Sequence, residues 1–364
     1  MIRVLQCVNN MHRAGLETML MNYYRNIDRT KIQFDFLTHR PDKSDYDDEI
    51  IAMGGRVYYA PRLYPQNYPA YFSYMKRFFA EHPEYQIVHS HIDAMSYLPL
   101  LTAKKAGIPV RIAHSHNTSI DKDAKYVLKQ YFRYCVPSVA NYRLACGKKA
   151  GEFLFRGRSF EVIPNAIEAS RFVYSADVRN KVRKELQLDG KFVIGHVGRF
   201  SYAKNHVFLI DVFAEIRKHE PNSVLLFVGK GDKEKEARKK VEALGMSEHV
   251  RFLGSRNDVQ ELYQAMDVFV LPSLFEGVPV VGVEAQYAGL PCFFSDKVPN
   301  EVAFTDQCTF AGLKQTTQEW AKKIIETKDI DRKILSTTNT RFDITYTKDK
   351  LEEFYIKSVY SQKE

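Results

Sequence analysis

Residues 267–291 read DVFVLPSLFEGVPVVGVEAQYAGLP. The run ending at Leu271 is short and apolar, as in a buried strand, and a turn follows it. A helix is expected after Pro279, over about residues 281–289. Strand, turn and helix in that order form the repeating unit of a parallel sheet. A helix start there would offer unpaired N–H groups and the positive end of a dipole, which suit a phosphate. Gly277 lets the backbone come close to a ligand. Glu276 falls in the turn and Glu284 on the helix, eight positions on, where its carboxylate can accept two hydrogen bonds from a diol such as a ribose. The ordinary alternative is a helix-capping Glu276 and a solvated Glu284. The apolar setting of Glu284, VVGVEAQYAG, argues against plain solvation.

Further toward the N-terminus, residues 192–206 read FVIGHVGRFSYAKNH. A buried strand ends at Gly198, and Arg199 and Lys204 follow in a loop before a helix. Two cations five positions apart can clamp a diphosphate, Arg199 by bidentate contacts and Lys204 as a mobile point charge. Such a clamp would stabilise charge on a leaving diphosphate. Exposed loop cations are the ordinary alternative.

The same alternation extends along the chain. Strands are expected at 2–8, 33–38, 56–60, 86–91, 110–115 and 142–146, then at 191–197, 223–228, 250–254, 267–271 and 291–295. Helical spacing separates them at 16–27, 69–81, 95–106 and 124–135, then at 204–219, 233–244, 257–265 and 281–289. Continuous apolar strands alternating with helices predict parallel sheets covered on both faces. Three regions are expected: residues 1–165; residues 166–340, of which 166–190 form a linker; and a C-terminal helix within 341–364 that returns toward the first region. Two doubly wound domains in tandem bind ligands at the carboxyl ends of their strands.

The chain of 364 residues carries 53 Lys and Arg against 44 Asp and Glu, with 45% hydrophobic and 27% charged residues. This composition excludes disordered, collagenous and coiled-coil chains. Five scattered cysteines without a C-x-x-C pair suggest neither a disulfide framework nor a zinc site, and fit a reducing compartment. No apolar stretch is long enough to span a bilayer. Residues 1–165 hold 23 Lys and Arg against 15 Asp and Glu, whereas residues 166–364 hold 30 against 29. The positive excess therefore sits in the first half, which points to an anionic partner there or to a basic solvated surface.

Taken together, Gly198-Arg199, Lys204-Asn205, Glu276-Gly277-x-Pro279, Glu284-Ala285 and Gly289-x-Pro291 resemble the nucleotide-sugar-binding half of retaining family 4 glycosyltransferases. Ile163-Pro164-Asn165 resembles the segment that follows the first domain in that family, with Ala166 in place of the usual glycine. The resemblance implies a GT-B fold, α/β throughout: two tandem Rossmann-like, doubly wound parallel-sheet domains facing across a cleft. It implies that Arg199 and Lys204 hold the diphosphate, that Glu284 binds the ribose and that Glu276 contacts the donor sugar. Backbone N–H groups at Gly277 and Val278 would touch the sugar or distal phosphate, with the base near Ser255 and Arg256. In the first half, Ala14-Gly15 stands where the family has a glycine pair, and Gly15 keeps the position that approaches the diphosphate. A bare turn glycine is the alternative there. His116, just past a strand, resembles the family histidine beside the anomeric carbon. His89, His91, His114 and His116 at two strand ends could also form a metal site. No carboxylate cluster accompanies them and the family type uses no divalent metal, so no metal and no cofactor are expected, and some of these histidines are expected to be hydrogen-bonded core residues.

The reaction implied is sugar transfer from a nucleotide diphosphate sugar, UDP by the family's habit, to a hydroxyl with retention at the anomeric carbon. The leaving phosphate would help accept the proton. Residues 64–79 and 122–134 interleave aromatic and basic side chains, as an interfacial surface on anionic lipid does; ordinary core packing is the alternative. The resemblance implies a lipid-diphosphate-linked glycan as acceptor in capsule or exopolysaccharide synthesis. The expected location is cytoplasmic, at the inner face of the membrane. No nucleic-acid-binding motif accompanies the charge. Rival readings are transfer to a soluble acceptor and a non-catalytic nucleotide-sugar-binding or scaffold protein of the same fold.

Overall fold

A computed structural model describes residues 1–120, 125–328, 330, 332 and 341–361. Residues 122–124 of the second aromatic-basic stretch, and 362–364 of the expected C-terminal helix, lie outside these. The chain divides into two compact units, one formed by Met1–Ala166 with Ile344–Glu364 and the other by Ile167–Asp343.

The first unit runs β1 (Ile2–Val8), α1 (Gly15–Asn26), β2 (Ile32–Thr38), α2 (Asp47–Ala52), β3 (Val57–Tyr59), α3 (Tyr68–Glu81), β4 (Ile87–Ser90), α4 (Tyr97–Lys105), β5 (Val110–Ser115), α5 (Tyr126–Val139), β6 (Tyr142–Ala145), α6 (Lys148–Phe155) and β7 (Glu161–Val162). The strands lie in the order β3-β2-β1-β4-β5-β6-β7, and all pairs are parallel. Every residue of β2 and of β4 is buried, because helices cover both faces of the sheet.

The second unit runs α7 (Ala176–Glu185), β8 (Phe192–Val197), α8 (His206–His219), β9 (Ser223–Val228), α9 (Glu234–Ala243), β10 (Val250–Phe252), α10 (Val259–Ala265), β11 (Val268–Leu271), α11 (Val280–Tyr287), β12 (Cys292–Ser295), β13 (Cys308–Ala311) and α12 (Thr317–Ile325). Its sheet is again parallel, in the order β10-β9-β8-β11-β12-β13. Residues 167–190 fold with this unit: Arg179 and Arg183 of α7 both reach the Asp267 carboxylate that precedes β11.

The final helix, α13 (Ile344–Tyr360), belongs to the first unit. Tyr355 packs edge-on to Phe34, Phe354 packs against Tyr142, and Glu352 accepts the Asp28 N–H at 2.8 Å.

In each sheet the strand order reverses once, between β1 and β4 and between β8 and β11. Doubly wound sheets open at such a reversal, since the connections on its two sides leave toward opposite faces. Gly15 follows β1, Arg199 and Lys204 follow β8 and Glu276 follows β11, whereas Glu284 lies on α11 and His116 follows β5.

Candidate active site

In the second unit the loops after β8, β9 and β11 are bound to one another. Gly198 N–H donates to Val228 O at 2.9 Å, Phe200 N–H to Lys230 O at 3.1 Å, and Leu274 N–H to Ala203 O at 2.7 Å. Gly229-Lys230-Gly231, not singled out from the sequence, makes this contact possible. A Cβ at Gly229, where φ is +139°, would lie 2.1 Å from Gly198 O, and one at Gly231 would lie 2.2 Å from Phe200 O. Two glycines alternating just past an apolar strand were the available signal.

Lys204 closes a short turn after β8. Asn205 then takes a left-handed conformation, φ 54°, and its side chain donates to Pro272 O at 3.2 Å. This aims the lysine at the β11 loop, where Lys204 Nζ lies 2.6 Å from Glu276 Oε1. Ser273 Oγ donates to the same carboxylate oxygen at 2.7 Å. Both members of the pair are mostly shielded from solvent. Arg199 is exposed beside them. Gly277 and Val278 are buried in the turn, and Gly277 is not among the glycines with positive φ. His196 and His206 lie beneath the turn in mutual ring contact, and burial holds them neutral, at about 3 and about 2.

Glu284 is buried on the second turn of α11, which excludes the solvated alternative. Burial pushes its carboxyl up to about 7, against the opposing pull of the Tyr263 hydroxyl and of Arg171. Tyr263 Oη lies 2.9 Å from Glu284 Oε2 and 3.1 Å from Val281 O. One hydroxyl proton cannot serve both acceptors. A neutral Glu284 that donates to Tyr263, which then donates to Val281 O, satisfies all three groups. Near the expected base position, Arg256 pairs with Asp258 at 2.8 Å.

In the first unit, α1 begins at Gly15 with no side-chain cap, and Gly15 is exposed with open space around it. Residues two apart on a strand share a face, so the pairs His89/His91 and His114/His116 stack in one layer. Ring centroids are 4.1 Å apart in the first pair and 4.2 Å in the second. His89 bonds His114 at 3.1 Å and His91 bonds His116 at 3.0 Å. His89, His91 and His114 each bring a nitrogen within 4.8 Å of the others, a spacing that can hold a metal ion; His89 bonds Tyr355 and His114, His91 bonds Gln6 and His116, and among the described residues His114 Nε2 has no hydrogen-bond partner. Burial lowers all four, His116 to about 3, so the cluster is neutral. Asp93, also not foreseen, accepts the His116 N–H at 2.8 Å and the Asn117 amide at 2.7 Å, which fixes the loop after β5.

The aromatic stretches behave differently from one another. In 64–79, Tyr71, Met75, Phe78 and Phe79 are buried on one face of α3 while Lys76 and Arg77 face solvent, so this segment is core and not an interfacial surface. On α5, Phe132, Val136 and Val139 are buried, but Val127, Tyr131 and Tyr134 are 79%, 60% and 68% exposed at helical spacing. No described helix is long and apolar enough to cross a membrane.

Two doubly wound parallel-sheet units, the second with cations, glycines and carboxylates gathered where its strand order reverses, define a two-unit α/β protein. Residues 13–171 match the model of Glycosyltransferase Family 4, and residues 178–337 that of Glycosyl transferases group 1. The protein named glycosyltransferase EpsF of Bacillus subtilis (strain 168) is 37% identical over 335 residues, covering 88% of this chain and 86% of its own. The UDP-Gal:alpha-D-GlcNAc-diphosphoundecaprenol alpha-1,3-galactosyltransferase of Escherichia coli is 27% identical, covering 77% of each chain. The crystal structure of Anabaena Alr3699/HepE with UDP and glucose superposes with a TM-score of 0.81 at 19% identity, over 98% of this chain and 99% of that one. The chain belongs to the family 4 glycosyltransferases of GT-B fold and is a transferase.

Proposed function

We propose that this enzyme transfers a hexose or N-acetylhexosamine from its UDP conjugate, with retention, to a hydroxyl of a lipid-carrier-linked glycan in capsule or exopolysaccharide synthesis. The observation that carries the reading is the Lys204–Glu276 pair at the foot of α11, with Glu284 buried one helical face further on. An ammonium has three donors, so Lys204 can keep Glu276 and still reach a diphosphate. Lys204 and Arg199 would stabilise the charge on the leaving diphosphate, and Glu276, aimed by Lys204 and Ser273, would hold the sugar. Glu284 would take the ribose diol, Gly277 and Val278 would present backbone N–H groups, and Gly15 would leave room for phosphate oxygens. His116 would contact the sugar near its anomeric carbon. The leaving phosphate accepts the acceptor's proton, and the protein supplies position and charge rather than a covalent nucleophile. No metal or cofactor is part of this reading.

The relatives support this choice of donor and acceptor classes. Anabaena Alr3699/HepE was crystallised with UDP-glucose, and the Escherichia coli relative is named for a diphosphoundecaprenol-linked acceptor. The capsular polysaccharide biosynthesis glycosyltransferase CapH of Staphylococcus aureus is 26% identical over 98% of this chain. The basic surplus of the first half and the exposed Val127, Tyr131 and Tyr134 support peripheral contact with an anionic membrane. The test is a thermal-shift panel of nucleotide sugars, followed by transfer to a lipid-diphosphate glycan and to a free sugar. Stabilisation by UDP-sugars and transfer to the lipid-linked acceptor are expected. Transfer to the free sugar alone would establish the soluble-acceptor reading instead. Binding without any turnover would favour a scaffold.

A further inference from the structure

The histidine cluster of the first unit is not a random packing of rings. Two hydrogen-bonded chains run through it and meet at one side chain, Gln6 of β1. Gln6 Nε2 donates to the Tyr355 hydroxyl at 3.2 Å, and Tyr355 Oη lies 2.7 Å from His89 Nδ1. His89 Nε2 then lies 3.1 Å from His114 Nδ1. On the other side, Gln6 Oε1 lies 2.8 Å from His91 Nε2, and His91 Nδ1 lies 3.0 Å from His116 Nε2. The register explains the meeting point: Gln6 is paired directly with His89 across β1 and β4, at the reversal of strand order.

Each neutral imidazole has one donor and one acceptor, so the direction of one bond dictates the next. The Gln6 amide oxygen can only accept, so His91 carries its proton on Nε2 and offers Nδ1 as an acceptor. His116 must then donate from Nε2, which leaves its Nδ1 with a free lone pair. On the other chain, Tyr355 accepts from Gln6 and donates its own proton to His89 Nδ1. His89 donates from Nε2 to His114 Nδ1, and His114 carries its proton on Nε2, a buried end of the chain with no partner among the described residues. All four histidines share one tautomer. Rotating the single amide of Gln6 by half a turn would reverse every bond and place all four protons on Nδ1. Burial keeps the rings neutral, so no imidazolium interrupts the logic.

We propose that Gln6 is a positioning residue that acts through His91 to fix the Nε2–H tautomer of His116, so that His116 Nδ1 faces its ligand as an acceptor of hydroxyl protons. The functional part rests on the reading of His116 as a donor-sugar contact. With that tautomer locked, His116 can take a hydrogen bond from a sugar hydroxyl without first rearranging. Gln6 and Tyr355 lie 349 positions apart in the chain, so the C-terminal helix is part of the device.

The experiment is NMR of the full chain carrying ¹⁵N-labelled histidine, in which the two-bond couplings of the ring nitrogens distinguish the tautomers. The resonances are assigned with single-histidine substitutions. The wild-type protein is expected to show His89, His91, His114 and His116 as a single Nε2–H form. A His116 carrying its proton on Nδ1, or exchanging between both forms, would overturn the proposal without any further variant. Gln6→Met removes the acceptor for His91 while keeping the volume, and is expected to move His91 and His116 together to Nδ1–H. Both remaining at Nε2–H would also overturn it. Transfer by Gln6→Met at saturating donor is expected to fall by about tenfold, the loss of one well-made hydrogen bond. If the tautomers shift and turnover does not, the tautomer assignment stands and the sugar-contact role of His116 fails, so the two claims are separated.

Discussion

If Glu284 holds the ribose as proposed, nucleotide binding depends on pH in a direction set by the burial of its carboxyl. Its carboxyl is moved from an ordinary value of 4.5 up to about 7 by burial. The folded chain thus disfavours the ionised form by about 3 kcal/mol. For an acid raised in this way, the stabilisation carried by the neutral form is complete below about 4.5 and is lost as pH climbs to about 7. A ribose diol, however, is best held by a carboxylate that accepts two hydrogen bonds. Binding must therefore expel the proton that Glu284 shares with Tyr263. At pH 6 about one molecule in ten is ionised, so UDP should bind about tenfold more weakly there than at pH 8. Isothermal calorimetry at both values measures this, and repeating it in two buffers of different ionisation enthalpy counts the protons released. The terminal phosphate of UDP titrates in the same range, so Glu284→Gln is the reference and should lack the extra proton. The same variant should gain stability over wild type at pH 8 and match it near pH 4.5. Equal pH slopes for wild type and Glu284→Gln would refute the reasoning, because a carboxyl ionised throughout cannot link protons to binding.

Two other predictions test the frame and the surface. Gly231→Val places a side chain 2.2 Å from Phe200 O and should lower the thermal midpoint by about 5 °C, read by calorimetry; an unchanged midpoint would show that the loops are free to separate. Vesicles containing anionic lipid should retain the protein at low salt and release it at high salt. The double variant Tyr131→Glu/Tyr134→Glu should release it even at low salt, and equal binding to neutral vesicles would remove the electrostatic part of the account.

The strands were legible because burial on both faces leaves continuous apolar runs; β1, β5 and β9 fall where expected to the residue. The two unforeseen strands are edge strands with little pattern: β7 has two residues, and β13 is half-buried along most of its length. Helix α12 carries a signature readable in the sequence, Thr316 and Glu319 in a capping box. The proposed clamp was legible as residue types at suitable spacing. Its internal pairing was not, since Lys204 and Glu276 meet across 72 positions by way of Asn205 and the β11 loop. Tyr263, which governs the proton on Glu284, sits on another helix with no local mark. The aromatic periodicity of 64–79 misled because helical spacing of Tyr and Phe is the same whether the covered face is core or lipid; only the tertiary neighbours of α3 decide.

The proposed reaction is retaining transfer directed by Lys204 and Glu276. The measurement is the anomeric configuration of the glycan product by NMR, made with the UDP-sugar that the protein accepts, for wild type, Lys204→Ala and Glu276→Ala. The donor's configuration is expected in the product, with at least about tenfold slower transfer by each variant and the fold intact. An inverted product, or wild-type turnover by both variants, would contradict it.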